Sequence, residues 1–301
     1  MKLALKDIRK VLILGSGTMG LRIGLQSALS GFDTVIYDIH ENSFVSAKKI
    51  QQSILKQLIE KQSITDKEAE LAISRIRFTT DAESAANNVD FVNESVWEEL
   101  SVKKEVWSSF ADLCPPHAVF TTNTSYLLPS QFASETKRPE RFCAFHFHDV
   151  FQANVVDVMP HAGTEEWVVE LLMEIGKRLK QTPVFVKKES PGYIFNAMLV
   201  ALIGAAGALV TYDISSIEDV DRSWIGNFKM AVGPFGILDA IGLDTAWHVT
   251  NSLGDPKSKK FASLLKTYID AGNLGQKTGQ GFYTYPNPAF MKPDFVNRDK
   301  D

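Results

Sequence analysis

The run Val11-Leu12-Ile13-Leu14 leads directly into Gly15-Ser16-Gly17-Thr18-Met19-Gly20, and no other stretch restricts the fold as tightly. An apolar run ending in G-x-G-x-x-G, then a helical pattern over Met19–Ser30 stopped by Gly31, reads as strand, turn and helix. Each glycine has its own task in such a unit. Gly15 permits the tight turn, Gly17 lets a pyrophosphate approach the backbone, and Gly20 lets helix and strand pack closely. The N–H groups of the first helical turn have no partner within the helix and sit at the positive end of its dipole, a ready site for phosphate. The next strand, Thr34–Asp38, ends in a carboxylate 18 residues beyond Gly20. An acid there accepts hydrogen bonds from both adenosine ribose hydroxyls and repels a 2′-phosphate, which favours NAD over NADP. Gly15, Ser16, Gly17, Thr18, Met19, Gly20 and Asp38 are therefore assigned to the cofactor. A mononucleotide, FAD, or a glycine turn with no ligand are the alternatives.

The first half alternates β-rich runs with helical patterns, as in a parallel sheet covered on both faces. Strands are expected at Val11–Leu14, Thr34–Asp38, Arg77–Thr80, Asp90–Ser95, Ala118–Thr122, Phe142–Phe147, Asn154–Met159 and Pro183–Lys187. After Ser190-Pro191-Gly192 the chain reads as nearly all helix, near 192–212, 216–228, 235–253 and 258–271, with Ser190-Pro191 as a helix start. This predicts an α/β chain: a Rossmann-like, doubly wound, mostly parallel sheet over 1–189, then an all-helical domain over 190–301. The length of 301 residues suits two such cores without covalent staples.

Composition narrows the function classes. At 45% hydrophobic and 23% charged residues, disorder and low-complexity architectures are excluded. A net charge of -4 gives no global reason to bind nucleic acid or an anionic membrane, and neither is expected as a partner. Two distant cysteines, Cys114 and Cys143, form neither a disulfide framework nor a zinc signature, and suggest a reducing, cytoplasmic home. The apolar run near the N-terminus is too short for a signal peptide. Tyr193–Val210 is uncharged over 18 residues but carries Asn196 and lacks basic flanks, so it reads as a buried helix of the second domain.

Ligands of open α/β sheets sit beyond the carboxyl ends of the strands. Asn123-Thr124-Ser125 follows one predicted strand, and His146 lies at the end of its neighbour. An alcohol that loses hydride must also lose its hydroxyl proton, and imidazole titrates in the right range to take it. His148, two residues on, points to the same side of the strand. That raises a His-x-His metal pair, but no third ligand has convincing spacing, and no metal is expected.

Seven segments then fix a resemblance, from VLILGSGTMG through ESVWEELSVKKEVW, TTNTSYL, RPERFCAFHF, SPGYIFNAML and VGPFGILDAIGLD to GQKTGQGFY. In this order, across almost the whole chain, they resemble the L-3-hydroxyacyl-CoA dehydrogenase family, of the 3-hydroxybutyryl-CoA dehydrogenase type. The resemblance implies NAD-dependent oxidation of the 3-hydroxyl of an acyl-CoA, or the reverse, in a protein that dimerises through its helical domain. It implies His146 as general base, Ser125 as a hydrogen-bond partner of the substrate oxygen, and Asn196 as a second substrate-orienting residue. Glu98, Lys103 and Lys277 match positions near the cofactor.

The chain also departs from the family pattern. Where the family continues from its histidine with Phe-Asn-Pro, this chain reads His148-Asp149-Val150. Where the family places a glutamate to pair with the histidine, Asp157 is the better match and Asp149 the other candidate. These changes keep open a dehydrogenase of a CoA-free 3-hydroxy acid, similar to carnitine or gulonate 3-dehydrogenases.

Overall fold

Short, β-branched runs joined by helices build one eight-stranded sheet. In the computed structural model, which describes residues 2–297, the strands are β1 Lys10–Leu14, β2 Asp33–Tyr37, β3 Ile76–Thr79 and β4 Phe91–Glu94. They continue with β5 Val119–Thr122, β6 Phe142–Phe147, β7 Val155–Pro160 and β8 Thr182–Phe185, and their spatial order is β3-β2-β1-β4-β5-β6-β7-β8. Every neighbouring pair is parallel except β6 and β7. The helices accompanying the sheet are α1 Thr18–Leu29, α2 Glu41–Glu60, α3 Asp66–Ser74, α4 Ala82–Ala86, α5 Leu100–Leu113 and α6 Glu166–Arg178. Strands β4, β5 and β6 are buried at every position, as expected when both faces are covered. One apolar core forms around Ile13, Phe145 and Leu172, and another around Leu12, Trp107 and Phe120. Because Leu12 and Ile13 are adjacent in one strand, the two cores lie on opposite faces.

The order reverses between β1 and β4, which opens a crevice beyond their carboxyl ends. The glycine loop leaves β1 there.

The chain divides into two units, the second beginning at Phe195, whereas the sequence places the boundary at 189. Residues 191–194 form a turn instead of the expected helix start, with Gly192 at φ +75° and Tyr193 at φ +55°. The second unit comprises α7 Phe195–Thr211, α8 Ile217–Phe228, α9 Pro234–Ile241, α10 Leu243–Ser252 and α11 Pro256–Asp270. The single helix expected over 235–253 is two. Gly242 adopts φ +98°, and the N–H of Leu243 turns outward to the carbonyl of Leu274.

Two buried aspartates organise this unit. Asp221 accepts the backbone N–H groups of Phe235 (2.8 Å) and Gly236 (3.0 Å), and Asp239 those of Phe282 (2.8 Å) and Tyr283 (2.9 Å). The hydroxyls of Tyr283 and Tyr285 complete the two shells. The sequence suggests that α7 is buried throughout, and the structure corrects this. Ile203, Ala206 and Gly207 pack inward, with the Phe261 ring against Gly207, while Phe195, Met198 and Leu209 are exposed in the single chain. No helix among the described residues is long and apolar enough to cross a membrane.

Candidate active site

The glycine loop shows why its small residues are required. A Cβ on Gly15 (φ +101°) would stand 2.6 Å from the carbonyl oxygen of Ser95, and one on Gly20 only 2.0 Å from that of Gly15. Neither neighbour can yield, because both are backbone. At Gly17 a Cβ would enter open space, and Gly17 and Thr18 are exposed at the start of α1. That open, N–H-rich helix start fits a pyrophosphate. Asp38 reaches back to the loop: its Oδ2 accepts Ser16 N–H (2.8 Å) and Ser16 Oγ–H (2.7 Å), and its Oδ1 accepts His40 N–H (3.0 Å). Gly20→Ala is expected to destabilise the protein by about 1–3 kcal/mol through overpacking and to weaken NAD binding. Thermal unfolding and a cofactor titration check this, and unchanged values in both would contradict it.

Beyond β4, a chain of charges shapes the turn that carries Ser125. Lys103, on α5, is buried, with its Nζ 2.7 Å from Glu94 Oε1 and 3.1 Å from Glu98 Oε2. Glu94 also accepts Val96 N–H (2.9 Å) and the Thr122 hydroxyl (2.7 Å). The other oxygen of Glu98 gathers the turn, accepting the Thr124 hydroxyl and the N–H groups of Ser125 (2.8 Å) and Tyr126 (3.0 Å). Partial burial would push the Glu98 carboxyl up, but Lys103 and these donors outweigh it and hold it below the usual range. Ser125 itself is exposed at the tip of the turn.

His146 arrives on the neighbouring strand. Thr122 of β5 pairs with Ala144 of β6, so Ser125 and His146 leave adjacent parallel strands at the same end of the sheet. Asn123 holds the two exits together by accepting Phe147 N–H on its side-chain oxygen (2.8 Å). Across the antiparallel pair, Asp157 of β7 stands opposite His146, and its Oδ2 lies 3.1 Å from His146 Nδ1. The same oxygen lies 2.8 Å from His148 Nε2. Asp149 serves its own turn, accepting Phe151 N–H and Gln152 N–H (both 2.9 Å) on Oδ1. The Tyr193 ring stacks on His146 at 4.5 Å between centroids, 14° from parallel, and its hydroxyl donates to the Thr124 carbonyl (2.7 Å). One tyrosine thus braces both the imidazole and the serine turn.

The electrostatics follow from this burial. Burial lowers the proton affinity of His146, the hydrogen bond to Asp157 opposes it, and His148 lowers it further. Burial alone would raise Asp157, but hydrogen bonds from His146 and His148 prevail and hold its carboxyl below the usual range. Burial pushes the Tyr193 phenol well above its ordinary value, so it stays a neutral donor. With Nδ1 turned to Asp157, the ring nitrogen of His146 left for proton transfer is Nε2.

The N-terminal unit therefore brings together Ser125, Glu98, Lys103, His146 and Asp157. Asn196 lies in the first turn of α7, in the second unit, where Lys277 pairs with both carboxylate oxygens of Asp244 at 2.6 Å. Sequence reasoning passes over Tyr193 and Glu94. It weighs His148 only as a metal ligand lacking a third partner; the structure brings Asp157 to both rings, at hydrogen-bond distances that ring N–H donors satisfy. The two-residue alternation that puts His148 on the side of His146 in the sequence is the signal that brings them together, although His148 falls just past the end of β6.

Comparison with known proteins identifies the family. Residues 10–190 match the 3-hydroxyacyl-CoA dehydrogenase NAD-binding domain, and residues 192–285 match the C-terminal domain of the same family. A probable 3-hydroxybutyryl-CoA dehydrogenase of Bacillus subtilis is 30% identical over 284 residues, 93% of this chain and 98% of that one. A solved diketoreductase, described as acting on dicarbonyl compounds, superposes with a TM-score of 0.89 at 35% identity, covering 92% of this chain and 99% of its own. The (S)-3-hydroxybutyryl-CoA dehydrogenase of Ralstonia eutropha superposes with a TM-score of 0.83 at 29% identity, covering 93% and 100%. A glycine loop closed by Asp38, followed by two matched domains, makes this chain an NAD-dependent oxidoreductase that belongs to the 3-hydroxyacyl-CoA dehydrogenase family.

Proposed function

We propose that the protein oxidises the 3-hydroxyl of a short-chain (S)-3-hydroxyacyl-CoA, with 3-hydroxybutyryl-CoA the substrate to test first, and runs the reverse reduction. The observation that carries this is the shared brace: Tyr193 stacks on His146 and bonds the turn of Ser125, which holds an imidazole and an alcohol at one end of the sheet. Ser125 Oγ hydrogen-bonds the substrate's C3 oxygen. His146 Nε2 takes the hydroxyl proton, and Asp157 stabilises the resulting imidazolium through Nδ1–H. Bound NAD supplies the hydride acceptor. In reduction the imidazolium and Ser125 polarise the ketone, and the proton returns to oxygen. Gly15 to Gly20 and Asp38 hold the cofactor, with Glu98, Lys103 (acting through Glu98) and Lys277 assigned to it by the family resemblance, and Asn196 is assigned to orienting the substrate on the same ground.

A second reading has its own support. The match to a diketoreductase favours a CoA-free 3-oxo or 3-hydroxy substrate on the same machinery. Steady-state assays separate the two: acetoacetyl-CoA with NADH against a CoA-free diketone with NADH, and carnitine or gulonate with NAD. The acyl-CoA reading expects kcat/KM for acetoacetyl-CoA to exceed the others by at least about 10²-fold, the scale on which binding energy from a remote moiety raises the rate. A preference for any CoA-free compound overturns it.

The exposed apolar residues of α7 support a homodimer through the helical unit. Two buried free thiols, Cys114 and Cys143, support a reducing, cytoplasmic setting.

A further inference from the structure

We propose that His148 is a positioning residue that sets the basicity of His146 by sharing its carboxylate. The inference deepens the reading of His146 as general base and rests on it. One oxygen, Asp157 Oδ2, meets His146 Nδ1 at 3.1 Å and His148 Nε2 at 2.8 Å. The shorter contact belongs to the residue that does no chemistry. The two rings meet edge to face, with centroids 4.8 Å apart, His146 near the end of β6 and His148 at the bend one residue beyond it.

A carboxylate that already accepts a proton from His148 has less charge to offer His146. The imidazolium formed on proton uptake is then stabilised less, and His146 stays a weaker base than a simple Asp–His pair would make it. The same bond fixes the rotamer of Asp157, which a single donor would leave free to turn. The groups facing His146 are few. Asp157 approaches from β7, Tyr193 from the turn after β8, Glu98 from the loop after β4, and His148 from the bend just past β6. Asp157 and Glu98 raise its proton affinity and His148 lowers it, while Tyr193 is neutral. His148 is thus the polar neighbour that acts against the two carboxylates. A weaker base returns its proton more readily, which suits an enzyme working in both directions near neutral pH.

The test reads His146 directly. The full chain, labelled at histidine Cε1 and free of cofactor and substrate, is titrated by NMR across the neutral range. The His146 signal is assigned by its loss in His146→Ala. Two donor-free variants, His148→Phe and His148→Ala, are paired with His148→Gln, whose amide N–H can replace the imidazole donor without a titrating ring. In the donor-free variants the His146 midpoint should rise by about 0.5–1 unit, a three- to tenfold gain in proton affinity. The acid limb of kcat for alcohol oxidation should move up by the same amount, and His148→Gln should fall near wild type. An unmoved midpoint in a folded donor-free variant overturns the proposal, and so does His148→Gln behaving like those variants. Failure of the base reading looks different: His146→Ala would retain turnover whatever the titrations show.

Discussion

His146→Ala is expected to lower kcat by about 10²–10⁴-fold in both directions, the usual contribution of a positioned general acid–base group. Its affinity for NAD should stay near wild type, since none of the loop contacts around Gly15–Gly20 and Asp38 involves His146. The residual rate should lose the pH dependence that His146 imposes. Because burial lowers its proton affinity, the wild-type imidazole remains neutral further into the acid range than an exposed one. Alcohol oxidation, which needs the neutral ring, should therefore persist to lower pH than the ordinary histidine value implies. Reduction, which needs the protonated ring, should fall off earlier as pH rises. A His146→Ala enzyme within tenfold of wild type would remove this residue from the chemistry.

Lys103→Met should have the largest effect on stability. Its ammonium and the Glu94 carboxylate are both buried, with relative exposures of 1% and 0%. Removing the cation leaves Glu94 charged inside the sheet, with only Val96 N–H and the Thr122 hydroxyl in partial compensation. Breaking one side of a buried pair costs about 3–5 kcal/mol, which corresponds to a fall in Tm of roughly 10 °C for a domain of this size. Combining it with Glu94→Gln should recover a large part of the loss, because no fully buried charge is then left unpaired at position 94. The single variant should also raise KM for substrate, since Glu98 loses the partner that steadies the Ser125 turn. A single variant melting at the wild-type temperature would show that the pair contributes nothing.

The sheet and the glycine loop were legible because their signals are local. Apolar runs such as Val11–Leu14 and the fixed spacing of three glycines need only a few consecutive residues to be read. The surroundings of His146 were not local. Its partner lies on an antiparallel strand whose register depends on the turn at 148–154, and Asp149, nearer in sequence, is occupied in making that turn. Tyr193 looked like the start of an apolar helix. A left-handed backbone at φ +55° instead delivers its ring to the imidazole, and no period in the sequence announces such a residue. No local signal marks Lys103 as buried, and only the packing of α5 against the sheet shows it enclosed. The break at Gly242 was hidden because a single glycine is also tolerated inside a helix, and only its φ of +98° marks the end of α9.

The bond between Asp38 and Ser16 bears on any attempt to redesign cofactor preference. The carboxylate that would exclude a phosphorylated ribose also fastens the first residue after Gly15, through both its amide and its hydroxyl. A neutral or basic replacement at 38 admits the extra phosphate only by unfastening the loop that must grip the pyrophosphate. Conversion to NADP therefore calls for a paired substitution that gives Ser16 a new anchor, and a swap at Asp38 alone should yield a poor enzyme with either nucleotide.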